Sequence, residues 1–147
     1  ILRQHLVVPA QIELEITEQV ALRNDAENLN HLVTASEAGY AIVLDDFGTG
    51  YSSISLLEKL PLTKVKLDHV FVRDAVETTQ GKKLLAAIIG LLNQMNLKSS
   101  VEGVETTDIE TFVSARGCAE VQGYLIGRPQ VLINSSSDQR VDHLKRA

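Results

Sequence analysis

Glu15, Asp45, Asp46 and Glu102, together with Lys66, are the residues whose types and positions best suit chemistry, because each falls in or at the end of a short apolar run. Carboxylates are hard oxygen donors, and without a Cys cluster beside them they suit Mg²⁺ or Mn²⁺ better than structural zinc. The 4 histidines show no HxH or HExxH spacing. Inside a regular strand, adjacent Asp45 and Asp46 point to opposite faces. At a strand end followed by Gly48 both can turn toward one centre and bridge two cations. Two metals clamp the attacking and departing oxygens of a phosphodiester displacement, and a cation such as Lys66 positions the nucleophilic water or stabilises charge on phosphorus. Metal-assisted phosphodiester hydrolysis is the reaction class this suggests.

Singly, each residue has a plainer explanation. Glu15 suits the solvated face of an edge strand, and Asp45-Asp46-Phe47-Gly48 suits a turn. Lys66 shares its face with Lys64 and Asp68, as an exposed lysine would. Glu102 and Glu105 suit the start of a helix, where acids favour the dipole. Gln122 is an ordinary polar strand residue, and Cys118 a small packed hydrophobe. Joint placement at successive strand ends favours the chemical reading.

The elements that must position these groups alternate between strand and helix periods. Ile12 to Thr17 alternates apolar and acidic residues and reads as a strand. Asn24 to Ala38 carries apolar residues at helical spacing before Gly39. Ala41 to Leu44 is an apolar run ending in the acidic pair and two glycines. Ser52 or Ser53 caps a short helix through Ile54, Leu56, Leu57 and Leu60, which Pro61 helps terminate. Lys64 to Leu67 is a strand with Val65 and Leu67 on one face and Lys64, Lys66 and Asp68 on the other. Lys82 to Met95 is an amphipathic helix. A strand then runs from Leu97 toward Glu102-Gly103-Val104-Glu105. A helix from Thr106 or Thr107 through Ile109, Phe112 and Val113 ends at Gly117, and a last strand spans Ala119 to Leu125. This tally of five expected strands with intervening helices, carrying polar residues at strand ends, is what a (β/α)8 barrel requires of part of its rim. A complete barrel takes ~250 residues. The expected fold class is therefore α/β, a partial (β/α)8 TIM-type barrel containing only its later strands and helices.

The 147 residues carry 14 Lys and Arg against 19 Asp and Glu, a net charge of -5, which disfavours binding to DNA or to an anionic membrane surface. No apolar stretch approaches the ~20 residues that span a bilayer. The start Ile1-Leu2-Arg3-Gln4-His5 has no signal-peptide pattern, and without an initiator Met it suggests a start inside a longer protein. A single Cys118 forms no internal disulfide and fits a reducing, cytoplasmic setting.

Five motifs in order, Ile12-Glu13-Leu14-Glu15-Ile16-Thr17-Glu18, Asp45 through Ser53, Val65-Lys66-Leu67-Asp68, Val101-Glu102-Gly103-Val104-Glu105-Thr106 and Gln122-Gly123-Tyr124-Leu125, resemble the EAL-domain phosphodiesterases of bacteria. The resemblance extends to about Pro129. It implies a modified barrel that hydrolyses cyclic di-GMP to linear pGpG with two Mg²⁺ or Mn²⁺ ions, Ca²⁺ being typically inhibitory. By the same resemblance Glu15, Asp45, Asp46 and Glu102 match metal ligands, Asp45 as the bridge between the ions and Glu102 also as a candidate general base. Lys66 matches the lysine beside the nucleophilic water, and Gln122 a polar group near it. Glu18 matches a carboxylate steadying the loop after the acidic pair, Asp68 and Glu105 match supporting acids, and Phe47, Gly48, Thr49 and Gly50 belong to that loop, which also serves dimer contacts in the family.

The family's namesake Glu-Ala-Leu motif, whose Glu binds metal, and an Asn ligand on a following strand have no counterpart in the chain. Both belong to the part that would precede Ile1. His69 stands where Arg is frequent, Ser100 where Ala is common, and Ile126-Gly127 where Phe-Ser is usual. The expected organisation is residues 1–133 as the C-terminal part of an EAL domain and 134–147 as a tail in which Val141 to Lys145 begins a helix. The complete domain is expected to be a homodimeric phosphodiesterase linked to an upstream sensor or GGDEF domain, and the chain alone inactive. A receptor that binds cyclic di-GMP without turnover is the alternative. A phosphoacceptor receiver ranks last, since no suitable strand-borne Asp lies between Asp46 and Lys66.

Overall fold

A computed structural model of the chain describes residues 7–22, 26–49 and 54–129. Five parallel strands, β1 (Glu13–Thr17), β2 (Ala41–Phe47), β3 (Lys64–Leu67), β4 (Lys98–Val101) and β5 (Glu120–Val121), form one sheet in the order of the sequence. Between them run α1 (Glu18–Leu22), α2 (Ala26–Glu37), α3 (Ile54–Lys59), α4 (His69–Glu77), α5 (Thr79–Gln94) and α6 (Thr107–Ser114), after an opening 3-10 turn at Pro9–Gln11. Strictly sequential order leaves no point where strand order reverses, so the sheet is a run of barrel staves and not a doubly wound sheet.

Strand parity sorts the chemistry. Leu44, Val65, Leu67 and Val101 point outward and pack with Leu85, Ile89 and Leu92 of α5 and Ile109 and Val113 of α6, all buried. The opposite face carries Glu13, Glu15, Asp45, Lys64 and Lys66, with Glu102 following β4. The Lys64 ammonium lies 2.7 Å from Glu13 on β1 and 2.6 Å from Glu120 on β5. One side chain touching strands two places away on either side marks a sheet curled toward that face, since neighbouring strands are ~4.8 Å apart.

Several boundaries differ from expectation. β2 continues through the acidic pair to Phe47, because pairing with β3 resumes at Phe47 opposite Leu67 after an irregularity. β4 stops at Val101, and Glu102 to Glu105 is a connection. β5 has only two residues, although Gln122 extends its pairing by donating to the Val101 carbonyl. α5 begins at Thr79, three residues earlier than its apolar period, because the Thr78 hydroxyl caps it by accepting from Gly81 N. α1 and α4 were not expected at all. Gly50, the Ser52 or Ser53 cap and the tail over 134–147 lie outside the described residues. Among the described residues no helix is long and apolar enough to cross a membrane.

Candidate active site

The inner face gathers charge around Lys66. Its ammonium stands 3.0 Å from Asp45 Oδ1, 2.9 Å from Glu102 Oε1 and 3.5 Å from Glu15 Oε1. β1, β2, β3 and the turn after β4 each supply one of the four groups. Burial disfavours the charged ammonium, but hydrogen bonds to Glu102 and Asp45 and their negative charge outweigh it and hold Lys66 well above the ordinary lysine range. The lysine is charged at neutral pH.

The acidic pair owes its geometry to a bulge. Val43 and Leu44 of β2 pair with Lys64 and Val65, whereas the next paired positions are Phe47 and Leu67, so Asp45 and Asp46 together oppose Lys66. One extra residue on one strand bends it and re-aims side chains. Asp46 takes up the extra length in the left-handed region at φ 55, which Asp tolerates better than most residues. Asp45 thereby faces Lys66, and its Oδ1 accepts from Asp46 N at 3.0 Å. Asp46 borders a separate small concavity with Thr17, Glu18, Gln19 and Thr49. The pair does not turn toward one centre as expected: a bulge inside the strand sends Asp45 to Lys66 and Asp46 to a separate concavity.

Glu18, buried at the start of α1, accepts from Gly48 N at 3.2 Å. The carboxylate thus holds the backbone directly after the bulge. Gly48 has φ 106, and a Cβ there would run into the Phe71 ring, so both conformation and space require glycine. Asp68 lies just beyond β3 and caps α4, accepting from Val70 N at 2.8 Å, with His69 Nδ1 3.1 Å away. Glu105 is exposed, beside His69, Gly103 and Thr106. Gln122 is exposed just past β5, its backbone bonded to Val101 and Val104. Thr49 is exposed and bonds to the Asp46 carbonyl, while Phe47 is buried in the outer core. Sequence reasoning missed Lys64, Glu13 and Glu120, although their positions two residues before Lys66, Glu15 and Gln122 were a usable signal.

A divalent cation suits this donor set. Three carboxylate oxygens already surround one positive charge, and all are hard donors. They stand at an ammonium's radius, 2.9 to 3.5 Å. Mg²⁺ takes oxygens at about 2.0–2.1 Å, and among the described residues no three His, Cys, Asp or Glu side chains reach a metal-holding arrangement while Lys66 occupies the middle.

The EAL domain family matches residues 1–129, and the chain belongs to that family. A cyclic di-GMP phosphodiesterase of Pseudomonas aeruginosa, PA2567, is 40% identical over 135 residues, covering 92% of this chain and 22% of that protein. The bifunctional diguanylate cyclase/cyclic di-GMP phosphodiesterase MucR of the same organism is 38% identical over 128 residues, covering 87% of this chain and 19% of that protein. The chain thus spans about a fifth of these relatives' length. Among solved structures, the MucR phosphodiesterase in complex with c-di-GMP superposes with a TM-score of 0.80 at 38% identity, over 88% of this chain and 52% of that one. Klebsiella pneumoniae BlrP1, solved with manganese and cyclic di-GMP, gives 0.79 at 29% identity over 87% of this chain and 33% of that one. The partial coverage agrees with the sheet: five staves of a larger barrel.

Proposed function

We propose that residues 1–133 form the C-terminal part of an EAL domain that, when complete, hydrolyses cyclic di-GMP to linear pGpG, and that the chain alone does not. The observation that carries this reading is the convergence of Glu15 from β1, Asp45 from β2 and Glu102 from the turn after β4 on the Lys66 ammonium. Relatives named for cyclic di-GMP hydrolysis support the substrate, and a manganese complex of BlrP1 supports a divalent cofactor.

Glu15, Asp45, Asp46 and Glu102 would hold two Mg²⁺ or Mn²⁺ ions, which when bound polarise the phosphodiester and lower the pKa of attacking water. Asp45, beside Lys66, and Asp46, in the separate concavity, would both take part in holding them. The rest of the work falls to the chain's own groups. Lys66, charged at neutral pH, has to withdraw from the carboxylates toward the scissile phosphate, where its ammonium stabilises developing negative charge and orients the water. Glu102, bonded to Lys66, would take the water's proton. Gln122, exposed at the end of β5, is free to hydrogen-bond at the same mouth. Glu18 keeps the segment after the bulge in place through Gly48, while Asp68 caps the helix after β3 and Glu105 stands beside His69. A homodimer and an upstream sensor or GGDEF domain complete the reading, the latter supported by MucR, whose name joins a cyclase to the phosphodiesterase.

The receptor alternative draws on Lys66 itself, whose ammonium already neutralises the would-be ligands. Incubating the complete domain with cyclic di-GMP separates the two. Mg²⁺- or Mn²⁺-dependent pGpG that stops on adding a chelator supports the enzyme; bound but intact dinucleotide at saturating metal supports the receptor.

A further inference from the structure

A second charged layer lies beneath the carboxylate layer. Lys64 is buried, and its ammonium touches Glu13 Oε1 at 2.7 Å and Glu120 Oε2 at 2.6 Å. Residues two apart on a strand share a face, so Glu13 sits one step below Glu15, Lys64 below Lys66, and Glu120 below Gln122. Each member of the lower triad is therefore the strand-mate of a residue at the mouth.

Backbone pairing does not by itself fix the spacing of these three strands. β1 and β3 are separated by β2, and β3 and β5 by β4. The ladder between β2 and β3 also loses register where Asp45 and Asp46 bulge. Lys64 joins the alternating strands directly, by two short charge-assisted hydrogen bonds whose geometry is demanding. Replacing the whole of such a group with apolar packing is frequently neutral for stability, so what the triad adds beyond an apolar core is direction.

We propose that Lys64 is a positioning residue: through Glu13 it sets where β1 presents Glu15 to the metal site, and through Glu120 it sets where β5 presents Gln122. This rests on Glu15 being a metal ligand, as proposed above. The two arms separate experimentally, because only one ends on a metal ligand.

The test is Mn²⁺ affinity of the complete EAL domain, measured by electron paramagnetic resonance without substrate, alongside thermal unfolding. Glu13→Gln is expected to weaken Mn²⁺ binding about tenfold, the lower end of what supporting residues of metal ligands contribute, at little change in midpoint. Glu120→Gln is expected to leave Mn²⁺ affinity unchanged while lowering kcat and not KM. Lys64→Met should match Glu13→Gln in Mn²⁺ affinity, and Lys64→Arg should restore it; should Lys64→Met not fold, the two glutamine variants decide. Equal Mn²⁺ affinity in wild type and Glu13→Gln overturns the proposal, as does equal weakening by both glutamine variants, which would mean general loosening. A wild type that binds Mn²⁺ but does not cleave cyclic di-GMP removes the hydrolytic reading and leaves the Glu13 comparison decisive; a wild type that does not bind Mn²⁺ overturns both.

Discussion

Asp45 and Asp46 show how much one backbone irregularity decides. Period-2 reasoning placed them on opposite faces and required a turn to reunite them, whereas the strand keeps both and inserts one as a bulge with φ 55. Composition carries no signal for that register slip, since it depends on β3 offering Lys66 alone against two residues. The ligand types were legible; their arrangement was not. In the complete domain Asp45→Asn removes a charge from Lys66 and from the metal site together, and a loss of about 10²-fold or more in pGpG formation is expected, as for preorganised groups that act on developing charge. Thermal unfolding close to wild type would locate that loss in the site. Gly48→Ala is expected to disturb the same loop from outside the carboxylates. Its Cβ collides with Phe71 and its φ is unfavourable, so the midpoint should fall, by the equivalent of about 1–3 kcal/mol for strain at a special φ/ψ.

At the scale of elements, α4 was the largest omission. His69–Glu77 is rich in β-branched residues with weak helix propensity, and its only strong sequence signal is Asp68, which was read as chemistry and serves as the N-cap. Asp68→Ala should therefore lower stability by about 1 kcal/mol through the lost cap. α5, in contrast, was legible from its apolar period, and only its Thr78 cap moved the start. The charged layer at Lys64 gives a pH dependence. Burial alone would lower the Lys64 pKa, but hydrogen bonds and charge from Glu120 and Glu13 raise it above the ordinary 10.5. A raised folded value means stability fully present below the unfolded value and lost as pH climbs through the folded one. Urea midpoints should thus be flat near neutrality and fall above about pH 10.5, more steeply in wild type than in Lys64→Met, since Lys66 contributes equally to both.

For the whole molecule, sequential strand order and a curled, charged inner face make the sheet a segment of a barrel whose remaining staves would carry the other side of the site. That much was legible, because five ordered motifs each fall on a strand or in the turn after it. The limits of β4 and β5 were not, because pairing ends where the sheet turns into rim connections and not where apolar residues end. The central claim is that these rim residues complete a catalytic site only together with the missing staves. It is tested most directly by following pGpG formation from cyclic di-GMP in Mn²⁺ for the chain alone and for the complete domain, at equal molar concentration. Turnover by the complete domain and none by the chain is the predicted result; turnover by the chain alone, or a metal-loaded complete domain that binds cyclic di-GMP and leaves it intact, would contradict it.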